Sequence, residues 1–309
     1  MKIAIPDLIS NSYFPVVAAV ELGFFKEEGL NMDLELIFPF NKTLEELRDG
    51  NIDFAGGSSH SVPSAFPGWK GAKLLANQAQ NMYWFLIMHK DLGIKRGDIQ
   101  AVRGKNIGAA PLVNLGLRRL LTESGIDPEK DVNIGPVPGA FLGENKNFGV
   151  AAAKALEAKL IDGFWANGMG AEVAVTGGWG TLVIDARRGD GPPGAVNFTS
   201  SCMIGTDKMI KDRPNDVAAA IRALVKTQKA LKADVSLATK AAKKWFPELE
   251  TGLIAQVVQR DLPLMTPNIS PEFVKGMVKF QHDMGLLKDG ENPTYEDVVA
   301  TQFANLWNA

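Results

Sequence analysis

The sequence predicts an α/β protein of two lobes, and three observations carry that prediction. Its 309 residues exceed what one ordinary core organises and suit two bodies of about 100–200 residues each. Short apolar strands alternate with amphipathic helical stripes along nearly the whole chain, the pattern of α/β lobes with largely parallel sheets. One supersecondary plan also occurs once in each half: in 44–57 (LEELRDGNIDFAGG) and in 153–167 (AKALEAKLIDGFWAN) a short amphipathic helix leads through Ile-Asp into a short apolar strand.

The elements follow in order. Ile3 and Ile5 alternate with Lys2 and Ala4 as a first strand, which Ser10-Asn11-Ser12 breaks. Residues 14–28 carry a helical stripe of Val16, Val17, Val20 and Phe24, stopped by Gly29 just past the helix end. Met32, Leu34, Leu36 and Phe38 alternate as a second strand. Thr43 can cap a short helix over 44–48, with Glu46 completing a capping box. Residues 52–55 form a third strand that runs into Gly56-Gly57-Ser58-Ser59-His60, and 74–76 a fourth that ends at Asn77-Gln78. Residues 84–88 are a continuous apolar strand. In the second half a strand starting at Gly104-Lys105 precedes a helix over 115–124, residues 132–134 are a strand, and a helix over 150–159 leads into strand 161–165. Gly189-Asp190-Gly191-Pro192-Pro193-Gly194 is a loop, 201–204 a buried strand, and 215–245 and the tail from Pro267 are helical. A carboxy-terminal block this rich in helix wraps a sheet rather than extending one.

Composition removes several function classes. Lys plus Arg number 33 against 35 acidic residues, a net charge of −2 that offers no basic field for nucleic acid. Cys202 is the single cysteine, so an intrachain disulfide and a cysteine-based metal centre are both excluded. His60, His89 and His282 lie too far apart in sequence for a helical metal pair, and no metal or cofactor is expected. No apolar run reaches the roughly 18 residues needed to span a bilayer.

The run Tyr13-Phe14-Pro15-Val16-Val17-Ala18-Ala19-Val20-Glu21-Leu22-Gly23-Phe24-Phe25-Lys26-Glu27-Glu28-Gly29-Leu30 closely resembles the opening of the nitrate, taurine, aliphatic-sulfonate and thiamine-pyrimidine-precursor binding proteins of ABC importers. Gly50 with Asp53, Gly104-Lys105 with Ile107-Gly108, the segment from Gly125 through Asp127-Pro128 to Val132, and Ile161-Asp162-Gly163 resemble further motifs of that family in the same order. Three departures stand out: Val102 replaces a usual Leu, Lys159-Leu160 occupy the place of a usual Gly, and Gly163 replaces a usual Ala. The resemblance implies a type II periplasmic-binding-protein fold, two three-layer α/β lobes joined by two crossover strands near 84–88 and 195–200. Lobe one would be 1–87 plus 200–309 and lobe two 88–199, with the ligand cleft between them. The implied function is capture of a small organic molecule by hinge closure, without catalysis. Its partners would be the permease and ATPase subunits of an importer, and the chain a monomer. It would be periplasmic after loss of an export signal, or cytoplasmic if Met1 is the native start.

Independently, ligands in open α/β sheets sit beyond the carboxyl ends of strands, where helix N-termini offer unpaired N–H groups. The candidate ligand-binding residues are therefore Ser10, Asn11, Ser12 and Tyr13 after the first strand, Gly57, Ser58, Ser59 and His60 after the third, and Asn77 and Gln78 after the fourth. In the second lobe they are Pro111, Asn114, Phe141, Trp165 and Asn167. Each has a structural alternative: Ser10–Ser12 as a helix cap, His60 as a satisfied core histidine, Trp165 as core. Arg187-Arg188 beside the Pro/Gly loop reads as a solvated charge pair rather than an anion clamp. With no Arg or Lys expected at a strand end, a monoanionic sulfonate or carboxylate, or a polar heterocycle such as a pyrimidine, fits better than a dianion. Two alternatives stay open, a cleft enzyme of the same fold (desulfinase- or decarboxylase-like) and a ligand-sensing receptor module. A nucleophile elbow G-x-S-x-G is absent, and no Cys lies near Ser10 to Lys26.

Overall fold

The computed structural model describes residues 1–8, 12–140 and 147–308. The chain divides into two compact units, Met1–Asn81 with Asn197–Ala309, and Met82–Val196.

The first unit is built on five strands: β1 (Lys2–Ile5), β2 (Asp33–Leu36), β3 (Phe54–Ser58), β4 (Ala72–Ala79) and, from the far end of the chain, β10 (Ser201–Thr206). Their order is β2-β1-β3-β10-β4. β1 is parallel to β2 and β3, but β10 runs antiparallel to both β3 and β4. The expectation of a largely parallel sheet is thus corrected to a mixed one. The reason is topological. The chain leaves this unit at Asn81, just past the end of β4, and returns at Asn197, so the strand that follows starts at the edge where β3 and β4 end. β10 is apolar through its centre, and Cys202, Met203 and Ile204 are fully buried.

Packing explains the glycines of β3. A Cβ on Gly57 would fall 2.2 Å from the ring of Phe40, so this residue is flat to admit the first turn of the helix Phe40–Arg48. Thr43 lies inside that helix instead of capping it, and its hydroxyl donates to the Ile37 carbonyl. The helical stripe at 14–28 is likewise two helices, Phe14–Glu21 and Phe24–Glu27, because Gly23 takes a left-handed φ of 83° between them. Helices Pro214–Ala233, Ser236–Ala242, Glu248–Asp261 and Pro271–Asp283 complete the unit. The tail is fastened to β4 by hydrogen bonds from Ala300 N to Leu74 O (3.0 Å) and from Trp307 Nε1 to Leu75 O (3.0 Å).

The second unit holds β5 (Phe85–His89), β6 (Asn106–Ala109), β7 (Asn133–Gly135), β8 (Gly163–Ala166) and β9 (Gly180–Asp185), in the order β7-β6-β8-β5-β9. β6 is parallel to β7 and β8, while β5 is antiparallel to β8 and β9. Residues 84–88, expected as a crossover, lie mostly in β5, an interior strand of this sheet. Helices Val113–Glu123, Phe148–Glu157 and Gly168–Thr176 pack with it. The two ends of the unit are joined, Met82 N donating to Val196 O at 2.9 Å.

Candidate functional site

Register places the ends of the first sheet in one row: Ser201, which opens β10, stands opposite Ser58 of β3 and Ala79 of β4. A connected set of buried polar groups lies along this edge. Ser58 Oγ and Ser61 Oγ are 2.9 Å apart, and Ser61 Oγ lies 3.3 Å from His60 Nε2. Ser59 donates its N–H to Ser200 O (3.0 Å), and its Oγ accepts from Ser200 N (3.1 Å) and contacts Thr199 Oγ1 (3.3 Å). Ser200 Oγ donates to Asn77 Oδ1 (2.7 Å), and Ser201 Oγ donates to the Ser12 carbonyl (2.6 Å). The expected residues Ser12, Ser58, Ser59 and Asn77 therefore meet at one edge. Thr199, Ser200 and Ser201, which join them, were not among the candidates, although their unbroken hydroxyl run directly before an apolar strand was available as a signal.

Several candidates carry structural duties. Asn77 is 2% exposed and its amide is committed: Oδ1 also accepts from Cys202 Sγ (2.9 Å), and Nδ2 donates to Asn268 O (2.6 Å). Gln78 donates to Cys202 O (3.2 Å). His60 is fully buried, its ring edge-on to Phe280 at 5.4 Å and its carbonyl held by Gln281 Nε2 at 2.9 Å. Tyr13 starts the helix Phe14–Glu21 and is 3% exposed. Beside Asn77 and Ser200 a polar cavity of about 100 Å³ is lined also by Gln80, Asn81, Asn197 and Asn268. Ser10, Asn11 and Phe141 lie outside the described residues.

In the second unit, Ala166, Phe85 and Asp185 stand in one row across β8, β5 and β9. Asn167 follows directly and caps the helix Gly168–Thr176, its Oδ1 accepting from Met169 N (3.1 Å) and Gly170 N (3.2 Å). Its Nδ2 donates to Oδ1 of Asn147 (3.3 Å), which caps the helix Phe148–Glu157. Two helix N-termini are thereby held together by an Asn pair. Trp165 is fully buried, its indole donating to Val113 O (3.1 Å) and its ring 6.1 Å from Trp84. Asn114 is half-buried in the first turn of the helix Val113–Glu123, and Pro111 is exposed before it.

One residue departs fully from expectation. Arg187, read as half of a solvated pair, is 1% exposed, and its guanidinium lies over the Tyr83 ring at 5.5 Å. Arg188 instead pairs with Asp185 at 2.8 Å. A cavity of about 410 Å³ in this unit runs along edge strand β7 between Asn106, Ile134, Pro138 and Leu160, and none of the described candidate residues lines it. Among the described residues no group of His, Cys, Asp and Glu could hold a metal, and no helix is long and apolar enough to cross a membrane.

Known proteins share this architecture. The alkanesulfonate-binding protein SsuA from Xanthomonas axonopodis pv. citri, solved with MOPS, matches with a TM-score of 0.69 at 15% identity, over 96% of this chain and 97% of its own. The periplasmic nitrate-binding protein NrtA from Synechocystis PCC 6803 matches at 0.71 and 14% identity, over 99% and 86%. An enzyme appears as well: the desulfurization enzyme DszB matches at 0.64 and 15% identity, over 99% and 98%. In sequence, YtlA of Bacillus subtilis (strain 168), named for a binding role, is 29% identical over 134 residues, a stretch that spans only 40% of this chain and 37% of that protein. The fold is that of the type II periplasmic binding proteins, as the opening motif implied. Residues 10–234 match the profile of the family described as NMT1/THI5 like, and the chain belongs to that family.

Proposed function

We propose that this chain is the solute-binding component of an ABC-type importer, and that its two units close on a small organic molecule without transforming it. The observation that carries this reading is the matched placement of polar groups. Each sheet has the same strand plan, and each gathers its hydroxyl, amide and helix-end groups at the edge where its parallel strands finish. Ser12, Ser58, Ser59, His60 and Asn77 of the first unit, with Asn114, Trp165 and Asn167 of the second, are the proposed ligand-facing set. The partners are a permease and an ATPase, and the location is the periplasm. The family and its fold neighbours are mostly binding proteins, which favours this over the enzymatic reading kept alive by DszB. The chemistry of Cys202 points the same way: burial pushes its thiol up to about 12, so a thiolate nucleophile is not at hand near neutral pH.

A thermal-shift panel of small sulfonates, carboxylates, nitrate and pyrimidines tests the reading, because any ligand that prefers the native state raises its melting temperature. At least one class is expected to do so. With that ligand, Ser58→Ala should weaken binding by about 1–3 kcal/mol in calorimetry while leaving the melting temperature close to wild type. No response to any class would overturn the reading. Turnover of the bound compound, lost on replacing His60, would replace it with the enzyme.

A further inference from the structure

We propose that the polar cavity at the end of β4 binds an uncharged amide, so that the captured molecule carries a carboxamide or urea group; this deepens the solute-binding reading above and rests on it. The cavity, about 100 Å³, lies wholly within the first unit. Among the described residues every side chain that lines it is uncharged: five carboxamides, two serines and the ring of Phe273. Packing and hydrogen bonds fix these groups in place. A Cβ on Gly276 would fall 2.6 Å from that of Asn197, so the helix Pro271–Asp283 is bare where Asn197 rests on it. The same helix starts at the cavity, Ser270 Oγ accepting from Phe273 N at 3.1 Å. Asn77 Nδ2 (2.6 Å) and Gln80 Nε2 (3.3 Å) both donate to Asn268 O, which orients the two amides.

The unspent atoms narrow the ligand. Asn77 and Ser200 satisfy one another, Ser200 Oγ donating to Asn77 Oδ1 at 2.7 Å. Gln80 has its nitrogen on Asn268, and its Oε1 accepts no hydrogen bond from the described residues. The Asn197 carboxamide makes none with them at either end. The cavity therefore offers amide N–H donors and two carbonyl oxygens. An ion placed here would lose its water and gain no opposite charge. A primary amide or urea meets every offer: its C=O and one N–H pair with Asn197 through two antiparallel hydrogen bonds, and its second N–H is left for Gln80 Oε1. A space of about 100 Å³ holds several waters or one such head group. The rest of the molecule leaves past Asn268 and Ser270, both exposed.

The competing role is a pocket for ordered water alone. Full-length wild type and Asn197→Asp are compared by thermal shift against two sets of near-equal shape: acetate, acetamide and acetamidine, then benzoate, benzamide and benzamidine. If the cavity takes an amide, only the amide of each set stabilises the wild type. Asn197→Asp replaces a donor by a charged acceptor at nearly constant shape. It should bind the amide roughly 10-fold or more weakly and respond instead to the cationic amidine. A merely structural asparagine would give no such exchange of preference. Gln80→Met, which removes the free oxygen, is the second variant if the first fails to fold, and it should also weaken the amide without admitting the amidine. Acids or amidines that stabilise the wild type as well as amides do would overturn the inference, as would an Asn197→Asp protein that keeps the amide response. Either result leaves the solute-binding reading standing. Wild-type crystals grown with benzamide should show its amide group beside Asn197, and water alone at that place overturns the inference too. Silence from both sets sinks the inference by itself if the sulfonate, carboxylate, nitrate and pyrimidine panel gives a response, and sinks the reading with it if that panel is silent as well.

Discussion

The thiol of Cys202 donates to Asn77 Oδ1 at 2.9 Å and lies 3.3 Å from Ser200 Oγ, at zero exposure in the middle of a sheet. Burial raises its pKa to about 12, and the hydroxyls of Ser200 and Ser59 offset only part of that. An unfolded thiol ionises near about pH 8.5. Between these two values the unfolded chain gives up a proton that the native chain keeps, so stability falls as pH rises and is untouched below about pH 8. Urea unfolding at pH 8 and pH 10 should show wild type losing about 2 kcal/mol more than Cys202→Ala over that interval. Equal losses would show that the native thiol ionises in place. Single residues were also where sequence reasoning was weakest. A charged pair next to a Gly/Pro loop is ordinarily hydrated, and nothing local revealed that Arg187 would turn inward onto Tyr83, a residue 104 positions away. Asn167 was identifiable as polar and strand-terminal, but its capping bonds to Met169 and Gly170 depend on where the helix begins.

At the scale of elements, the repeat seen at 44–57 and 153–167 has a physical basis. Asp53 Oδ2 accepts the N–H of Lys2, the first residue of β1, at 2.8 Å; Asp162 Oδ2 accepts the N–H of Asn106, the first residue of β6, at 2.8 Å. Each Asp pins the start of a neighbouring strand, and for that reason Ile-Asp recurs. The turn before it differs. Gly50 ends its helix at φ 79°, whereas the equivalent Lys159 is held at φ 57°, a left-handed conformation unfavourable for any residue with a Cβ. Lys159→Gly should therefore raise stability by about 1 kcal/mol in urea unfolding, its exposed ion pair with Asp91 being worth little. A loss of stability would mean that pair matters more than the backbone. Periodicity revealed most strands, since alternation and short apolar runs survive in Ile3–Ile5, 74–76 and 201–204. It missed β9, whose half-buried start Gly180-Thr181-Leu182 shows no alternation, and it ran one helix across Gly23, because a left-handed glycine does not interrupt an apolar stripe.

For the whole molecule, the two sheets have one plan. β7-β6-β8-β5-β9 repeats β2-β1-β3-β10-β4 position by position, with the antiparallel strand fourth in each. In both cases that strand is the one nearest a passage of the chain from one unit to the other, β5 just after Met82 and β10 just after Asn197. If the units close on ligand as proposed, small-angle scattering should record a smaller radius of gyration at saturating ligand, and an unchanged radius would count against closure. The position of β10 has another consequence, for the order of synthesis. β3 and β4 do not touch as neighbours; β10 separates them, and it leaves the ribosome only after the 115 residues of the second unit, Met82–Val196, have been made. Until then the facing borders of β3 and β4 are unpaired strand edges, open to wrong partners. The inserted unit, its ends already tied by the Met82–Val196 hydrogen bond, contains all five strands of its own sheet and can mature first. The amino-terminal half of the other sheet waits for its central strand, so a nascent chain stalled before residue 201 would be an aggregation hazard and a natural client for chaperones.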